Sequence, residues 1–539
     1  MLSYRKLAMR VLGRPLHTGR IDSPRPASQR AAAFVLTAAM LITLAAPAFA
    51  KEWYIEDGNI TVKAGDTKGT NKVSQGESTD VPDTDTVITN REKNASSNTV
   101  TIETNDKNDK VEVTLKDVNI DTSSRNKAAV SVTGEGDTNI KLNGDNALKS
   151  DIYRSGIYGS GSLTISGGEN DSLTAQGGSG ANGISSSGSL TISGGTVTAK
   201  GGSGEDGSGG RGIISTKSVT ISGGTVEANG GNGNSGGDGI TSNGGVTISG
   251  GSTVTANGGN GGSLVGGSGI SNCGSLTVSD GTVTAKGGNG DSKDGYGGDG
   301  IRSGGGVTIS GNTVNAAGGY GGKVGGYGIC SFDRVAISGG TVEAAGGNGS
   351  TGGGSGIYSS VIDLSGSLEL TAKAGSPSGR ALSQKGSELV LDTIKDKLGP
   401  GAKVTATDAD GKVIDQVSTP RPVEPEESSS SSDGGSAAPS APASPLPGLT
   451  VTDKDGQRIS YTSTQSGNTL TVCVGRFTAS FRISLAALRQ LRAEGIETIT
   501  FQTILCSTTL SVDELLAMGG EDAEAVLTHR FTDSSLTVG

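Results

Sequence analysis

Aromatic residues, cysteines and histidines are scarce in this chain, which argues against a thick globular core and against a zinc site. Aromatic residues make up 3% of the 539 residues and the apolar fraction is 32%, so a thick globular core is not expected over most of the length. The four cysteines, Cys273, Cys330, Cys473 and Cys506, form no C-x-x-C motif and no cluster with histidine. A zinc site of the usual ligand spacing is therefore excluded.

Glycine, in contrast, is abundant. The chain holds 93 glycines, far above the usual share, but the triplet period of collagen is absent. A thin apolar core that is renewed at every repeat is compatible with this composition.

The first fifty residues have the features of a secretory signal. Basic residues are spread over 1–30, and an apolar stretch then ends in Ala48-Phe49-Ala50. This ending, after an apolar run that is short for a membrane span, is typical of a signal cleaved before Lys51, with an uncleaved anchor as the alternative. We expect an extracellular protein, secreted or associated with the cell surface.

The charge balance is acidic, with a formal net charge of −10 at pH 7. Loss of the basic N-terminal segment makes the remaining chain more acidic still. An acidic surface argues against nucleic acid and anionic lipid as partners. It is compatible with neutral polysaccharide, and with acidic polysaccharide bridged by cations.

A phrase such as GSLTISGGTVTAKGGSG, Gly188 to Gly204, recurs along the middle of the chain. The isoleucine after each Gly-rich loop recurs every 27 to 31 residues, which indicates a stacked architecture. Within the phrase, apolar residues such as Leu190 and Ile192 alternate with polar ones, which indicates strands. The landmark isoleucines are Ile157, Ile184, Ile213, Ile240, Ile270, Ile301, Ile329 and Ile357.

Three short strands per repeat predict a mainly β fold, a three-faced parallel β-helix in which each strand pairs with its equivalent one turn later. The general preference of parallel connections makes it right-handed. Glycine is expected at corners that need positive φ, and we expect the longer glycine runs to form loose loops along one edge.

The predicted organisation has six parts. Residues 1–50 are the signal peptide, 51–110 an N-terminal cap with degenerate turns, and 111–375 the β-helix repeats. A C-terminal cap of the helix follows at 376–418, then a disordered linker rich in Pro and Ser at 419–448, and a small α+β domain at 449–539. In that domain Ser484 is a predicted N-cap, Gly495 a helix stop, and Ser511 with Glu514 a capping box.

The segments VEVTLKDVNID, AAVSVTG, TNIKLNGDNALKS and GIYGSGSLTISGG resemble secreted Gly-rich repeat proteins of Gram-positive anaerobes. Some of those are carbohydrate-binding proteins with a pectate-lyase-like parallel β-helix, and in these calcium associates with acidic side chains. The resemblance spans about residues 110–375. It implies carbohydrate binding, but no ligand motif transfers residue by residue.

Catalysis is not expected, and we predict no catalytic residue. Polysaccharide lyases and hydrolases with this fold need clustered carboxylates, often with calcium, whereas no paired-Asp motif appears on neighbouring turns. His529 lies outside the repeats, and we expect it on the surface rather than acting as a general base.

Two kinds of binding residue are candidates. Asp238 and Asp299 stand two positions before landmark isoleucines and are candidate calcium ligands, the alternative being solvated loop carboxylates. Tyr296, Tyr320 and Tyr327 lie in Gly-rich loops of successive turns and are candidate platforms for sugar rings. The alternative is that these tyrosines pack on the flank of the coil.

The cysteines allow one disulfide. Cys473 and Cys506 either pair or remain isolated thiols. Cys273 and Cys330 lie two turns apart, roughly 10 Å by strand spacing, and a disulfide requires Cα atoms within about 7 Å. We expect these two not to pair.

Taken together, the sequence predicts a secreted, non-enzymatic β-helix protein that binds extracellular or cell-wall carbohydrate. One alternative is a structural or adhesive spacer that presents the C-terminal domain. A second is a polysaccharide lyase or hydrolase.

Overall fold

The computed structural model describes residues 51–420 except 206 and 312, and residues 448–538 except 454–456, 460, 467, 475–477, 504–506, 521–522 and 530–533. The predicted signal peptide, nearly all of the predicted linker and Cys506 therefore lie outside the described residues. The chain divides into two units, residues 1–424 and 425–539, and each is described by itself.

The first unit is a mainly β solenoid of about 13 turns, built from three ladders of parallel strands. The first ladder holds Ile60–Ala64, Val100–Thr104, Val130–Gly134, Ile157–Gly159, Ile184–Ser186, Ile213–Ser215, Ile240–Ser242, Ile270–Asn272, Ile301–Ser303, the starts of Ile329–Ile337 and Ile357–Leu364, and Leu382–Gln384.

The second ladder follows one corner later in each turn. It holds Glu52–Tyr54, Val87–Thr89, Lys110–Lys116, Asp137–Asn143, Ser162–Ser166, Leu190–Ile192, Val219–Ile221, Val246–Ile248, Leu276–Val278, Val307–Ile309 and the ends of the two long strands.

The third ladder completes the turn. It holds Asn119–Asp121, Asp145–Lys149, Ser172–Gln176, Thr196–Lys200, Thr225–Asn229, Thr253–Asn257, Thr282–Lys286, Thr313–Ala317, Gly340–Ala345, Leu368–Lys373 and Lys403–Thr407.

The register of the ladders confirms the predicted repeat. Each landmark isoleucine pairs with the next, from Ile157 with Ile184 to Ile329 with Ile357. In the second ladder Ile192, Ile221 and Ile248 occupy equivalent positions and are fully buried. A single cluster of buried apolar side chains fills the solenoid.

This continuous apolar core explains why each turn of the solenoid depends on its neighbours for stability. Burial of aliphatic side chains offsets the entropy lost on ordering the backbone only where those side chains are shielded from water on all sides. A turn offers about five inward aliphatic side chains for nearly thirty residues, so its core is dry only when a turn lies on each side.

Antiparallel pairs occur at both ends of the solenoid. Near the N-terminus Asn71–Gln75 pairs with Ile60–Ala64 and with Ser78–Asp83. At the other end Val413–Ser418 pairs with Lys403–Thr407, and the 3-10 helix Leu391–Lys397 lies nearby in the chain. Such pairs occupy strand edges that would otherwise be open to further pairing.

Glycine occupies the corner between the second and third ladders, as predicted. Gly195, Gly224 and Gly340 have φ of 76°, 74° and 79°. A side chain at these positions would clash with the following carbonyl, so glycine is the residue that fits.

The expectation of loose loops is wrong, because the Gly-rich loops are packed layers of backbone. Each loop leaves the third ladder in an outgoing arm and reaches the first ladder in a return arm. Gly231 of one outgoing arm donates its N–H to Gly210 of the preceding return arm at 2.7 Å, and Gly210 donates to Gly202 at 2.8 Å.

The same zigzag continues through the repeats, in bonds of 2.7–3.0 Å. We call its members the glycine array: Gly202, Gly210, Gly231, Gly237, Gly259, Gly267, Gly288, Gly298, Gly319, Gly326, Gly347, Gly354 and Gly375.

Glycine is needed in the array for close approach of two backbones. A Cβ on Gly259 would lie 2.0 Å from the carbonyl oxygen of Gly231, and one on Gly288 would lie 2.0 Å from that of Gly259. Neither has a positive φ, so the reason differs from that at the corners. The array holds the loops in register and presents the residues between its glycines outward.

The described residues of the second unit form two four-stranded sheets and two helices. Helix α1, Leu485–Ala493, begins after Ser484, whose hydroxyl accepts the N–H of Ala487. Helix α2, Val512–Ala517, begins after Ser511, whose hydroxyl accepts the N–H of Glu514. Within the described ranges, the helices of the protein are too short or too polar to traverse a bilayer.

The strands of the second unit lie in two sheets. One sheet holds Leu449–Thr452, Ala479–Ser484, Glu524–His529 and Ser534–Val538, and the other holds Thr462–Ser466, Thr469–Cys473, Thr498–Gln502 and Ser507–Ser511.

The expectation that His529 lies on the surface is wrong. Its side chain is fully buried, its Nε2 lies 2.9 Å from Thr508 Oγ1, and the Phe481 ring packs edge-on against it. Burial lowers the pKa of this imidazole below its usual value. The period-two alternation of EAVLTH places His529 on the same face as Ala525 and Leu527, which accounts for the burial.

Candidate functional site

A cleft of about 690 Å³ lies on the first-ladder face of the solenoid. We call it the tyrosine cleft, because Tyr153 and Tyr158 are its large aromatic residues. Its walls come from four consecutive turns of the first ladder, the strands that begin at Val100, Val130 and Ile157 and the one that begins at Ile184.

Strand alternation explains how Tyr158 reaches this face. Ile157 and Gly159 point inward and are buried, so the side chain between them points outward and is 43% exposed. In the register of the ladder, Tyr158 lies between Ser131 on one side and Ser185 on the other. The small neighbours leave both edges of the phenol ring open.

Tyr153 is displayed by a turn that the Asp151 carboxylate holds in place. That carboxylate accepts the N–H of Ile152 at 2.7 Å and the N–H of Asn126 at 2.5 Å. Tyr153 has φ 59°, an uncommon conformation for a residue with a side chain. Its ring is 80% exposed, so an unusual backbone conformation supports an aromatic ring that has few contacts of its own.

Polar groups surround the two rings. The Arg154 Nε donates to Asn126 Oδ1 at 3.2 Å, and its other guanidinium N–H groups make no hydrogen bond within the described residues. Lys127 and the amide of Asn182 also line the cleft. The lining thus combines aromatic faces with amide, hydroxyl and cationic groups.

The charge of this lining differs from that of the chain. Its residues include Lys127 and Arg154 but no carboxylate. Three other clefts of the described residues each contain at least one carboxylate, for example Asp137, Asp363 and Glu205. The tyrosine cleft is therefore a locally cationic patch on an acidic protein.

The structure distributes the three predicted tyrosines over different places. Tyr296 begins a return arm and is 42% exposed, with Lys323 Nζ 5.6 Å from the centre of its ring. Tyr320 lies in an outgoing arm and is 47% exposed. Tyr327 stacks on Tyr358, with ring centroids 5.0 Å apart. No ring contact joins the three within the described part of the chain.

The two predicted calcium ligands are both hydrogen-bonded to the next turn. Asp238 accepts the N–H of Ser268 at 2.7 Å, and Asp299 accepts the N–H of Tyr327 at 2.8 Å. Asn182, at the equivalent position of an earlier turn, accepts the N–H of Arg211 at 2.9 Å. Because a neutral amide fills the same role, this contact explains an oxygen-bearing side chain here without a cation.

The remaining oxygens of these carboxylates also have partners. Asp238 Oδ2 accepts from Thr241 at 2.9 Å, and Asp299 Oδ2 accepts from Arg302 at 3.2 Å. Burial raises the pKa of the Asp299 carboxyl above its usual value. Among the described residues, no group of three or more His, Cys, Asp or Glu side chains converges as a metal site would require.

Cys273 and Cys330 of the solenoid are thiols. Cys273 and Cys330 are not bonded to each other, as expected from their register. Burial raises the pKa of the Cys330 thiol to about 12, which keeps it protonated and unreactive. Cys473 Sγ lies 3.5 Å from Gln502 Oε1; its predicted partner Cys506 is outside the described residues, so that disulfide stays a prediction.

Sequence reasoning missed the residues of the tyrosine cleft. The sequence signal for this cleft is IYRSGIYG, Ile152 to Gly159. Tyr153 and Arg154 precede the first landmark isoleucine, Ile157, and Tyr158 follows it directly. The later, more regular repeats also contain tyrosines, in longer Gly-rich loops. The sugar-binding residues were therefore predicted in those loops and not in the first turn.

Comparison with known proteins adds no relative. Family models, curated proteins and solved structures were searched, and none matches this chain. The function of the chain is therefore inferred from the geometry of the solenoid and its cleft.

Proposed function

We propose that this is an extracellular, non-enzymatic β-helix protein that binds carbohydrate in the tyrosine cleft. The observation that carries the proposal is the pair of exposed rings, Tyr153 and Tyr158, set among amide and hydroxyl groups on a regular sheet face. Aromatic rings contact the apolar faces of sugars, while polar groups beside them bind the hydroxyls.

The shape of the cleft supports an extended ligand. Four turns of a ladder span about 14 Å at the usual strand spacing of ~4.8 Å, and each turn contributes its own outward side chain. The cleft is open along the sheet, so a polymer can enter it sideways. An enclosed pocket for a small metabolite has a different form.

The lining also supports binding without catalysis. Glycoside hydrolysis commonly uses a pair of carboxyl groups on either side of the scissile bond. The tyrosine cleft is lined by neither carboxylates nor histidine. We further propose a right-handed coil, since parallel crossovers have that hand in about 98% of cases, and export through the N-terminal segment.

The test is a glycan array followed by calorimetric titration of the best glycan. Tyr153→Ala and Tyr158→Ala should each weaken binding by five- to thirtyfold, about 1–2 kcal/mol, because each removes an aromatic anchor. Tyr320→Ala is the matched control, since it removes an equally exposed tyrosine from a Gly-rich loop. The Tyr320→Ala variant should bind the glycan as tightly as the unmodified protein does.

Three results would contradict the proposal. Silence on all glycans, with and without Ca²⁺, would favour a spacer that presents the C-terminal unit. New reducing or unsaturated ends released from a polysaccharide would show an enzyme instead. Loss of affinity in Tyr320→Ala alone would move the site to the loop tyrosines.

A further inference from the structure

A second group of aromatic side chains lies on the same face, near the C-terminal end of the solenoid. Tyr327 and Tyr358 stack with an interplanar angle of 22°, and the Arg302 guanidinium lies 5.3 Å from the centre of the Phe332 ring. We call these four residues the aromatic cluster.

The aromatic cluster interrupts the pattern of small residues at one corner of the repeat. Between the first and second ladders the equivalent corner position holds Cys273 and Gly304, whereas Phe332 occupies it in the next turn and is 54% exposed. In the following turn this position is Ser360, and Val361 next to it is exposed and pairs with Arg334. Phe332 is therefore a large exposed side chain at a position that is small in the neighbouring turns, which indicates a contact surface.

Buried groups hold this cluster in place. The Asp299 carboxylate accepts the Tyr327 N–H and an N–H of Arg302, so a single side chain orients two members. Cys330 lies buried between Arg302 and Tyr358 in the ladder register. The surface is therefore supported from below, as a binding platform requires.

The ladder register relates the cluster to the tyrosine cleft. Tyr158 and Tyr358 occupy the same outward position of the first ladder, seven turns apart. Seven turns correspond to about 34 Å along the solenoid axis at ~4.8 Å per turn.

The face between the two sites is unobstructed at this position. The intervening outward residues before Arg302 are Ser185, Ile214, Thr241 and Ser271, all partly buried and none with a long side chain. A chain that lies in the tyrosine cleft parallel to the axis would continue over these residues to the cluster.

Resting on the proposed function, we infer that the aromatic cluster is a second subsite for the same polysaccharide chain, which runs along the solenoid axis and contacts both sites at once. The occupant is an extended glycan longer than the separation of the sites. Two linked contacts raise the affinity of a long chain without any change in either contact.

The inference predicts how affinity depends on chain length. The probe is a size-graded series of the glycan that binds best on the array, from the disaccharide to the polymer. Oligosaccharides too short to span the two sites should bind with one affinity, and chains that span them should bind at least tenfold more tightly per chain. Phe332→Ser and Tyr358→Ala should remove this gain and leave the binding of short oligosaccharides to the tyrosine cleft unchanged.

One control variant and the choice of a second test variant keep the test decisive. Leu264→Ala removes an equally exposed apolar side chain from a Gly-rich loop and should keep the gain. Phe332→Ser alters an exposed ring outside the stacked pair, so its result stands even if Tyr358→Ala unfolds.

Each outcome separates the inference from the proposed function. Affinity that does not rise with chain length, or a rise that survives in Phe332→Ser, overturns the second subsite and leaves carbohydrate binding at the tyrosine cleft intact. If no glycan on the array binds, both the second subsite and the proposed carbohydrate binding are overturned.

Discussion

Glycine has two different uses in this chain, and the distinction governs which substitutions the protein tolerates. At corners such as Gly195 it supplies a positive φ, which follows from the sequence because a Gly-Gly pair separates two strand patterns. In the glycine array it supplies room for a neighbouring backbone. That second use was not predictable from one repeat, since the contact lies between residues of different turns.

Gly259→Ala should destabilise the solenoid, because its Cβ would lie 2.0 Å from the Gly231 carbonyl oxygen. Overpacking of this kind costs typically about 1–3 kcal/mol, measurable as a lower midpoint of urea unfolding. Gly262→Ala is the control in the same loop, where the nearest atom to a Cβ is 3.6 Å away. That variant should match the parent or exceed it slightly; equal loss in both would contradict a packed array.

His529 makes the stability of the C-terminal unit depend on pH. Burial lowers the pKa of its imidazole in the folded state, while the unfolded chain titrates near ~6.5. As the pH falls below that value, the unfolded state gains a proton that the folded state does not. The free energy of unfolding should therefore decrease until the lowered folded-state pKa is reached, by up to about 1.4 kcal/mol per pH unit.

Hydrogen exchange of the strand Glu524–His529 measures this dependence. Protection should decline from pH 7.5 to pH 5.5, and His529→Gln should make the unit's stability nearly independent of pH in this range. An imidazole that titrates at or above the ordinary value in an NMR titration would show that the side chain is not buried.

The turn is the unit on which the fold is built, and it was predictable because two signals coincide in it. The alternation of apolar and polar residues gives the strands, and the spacing of the landmark isoleucines gives the stacking. Val197 and Val226, inward residues of successive turns, occupy paired positions in the third ladder. The aromatic sites were not predictable in this way, because Tyr158 and Phe332 are exceptions to the repeat and a periodic pattern carries no information about its exceptions.

Deletion of residues 213–239 removes one complete turn and should leave a folded solenoid. Gly212 would then precede Ile240 in the place of Ile213, which its register makes equivalent, so every remaining strand keeps an equivalent neighbour. Deletion of 213–226, about half a turn, should unfold the coil because it places outward residues of the next strands inward. Circular dichroism and urea unfolding distinguish the two, and a full-turn deletion that unfolds like the half-turn deletion would contradict the stacking.

The solenoid is a regular scaffold that is irregular at the two surfaces proposed to bind carbohydrate. The solenoid sets the direction and spacing of outward side chains, and the chain departs from its repeat in the tyrosine cleft and the aromatic cluster. The acidic composition of the chain does not describe the cleft, which is lined by Lys127 and Arg154 and by no carboxylate. The class of partner stays a prediction. Local charge at a site and the charge of a whole chain are independent quantities.

Carbohydrate binding in the tyrosine cleft is tested most directly by hydrogen exchange with mass spectrometry, with and without a saturating short oligosaccharide of the array's best glycan. Exchange should become slower in peptides that cover residues 126–133 and 151–159, and should not change in the Gly-rich loops of Tyr296 and Tyr320. Protection confined to those loops or to the C-terminal unit, or no protection in any peptide, would contradict binding in the tyrosine cleft.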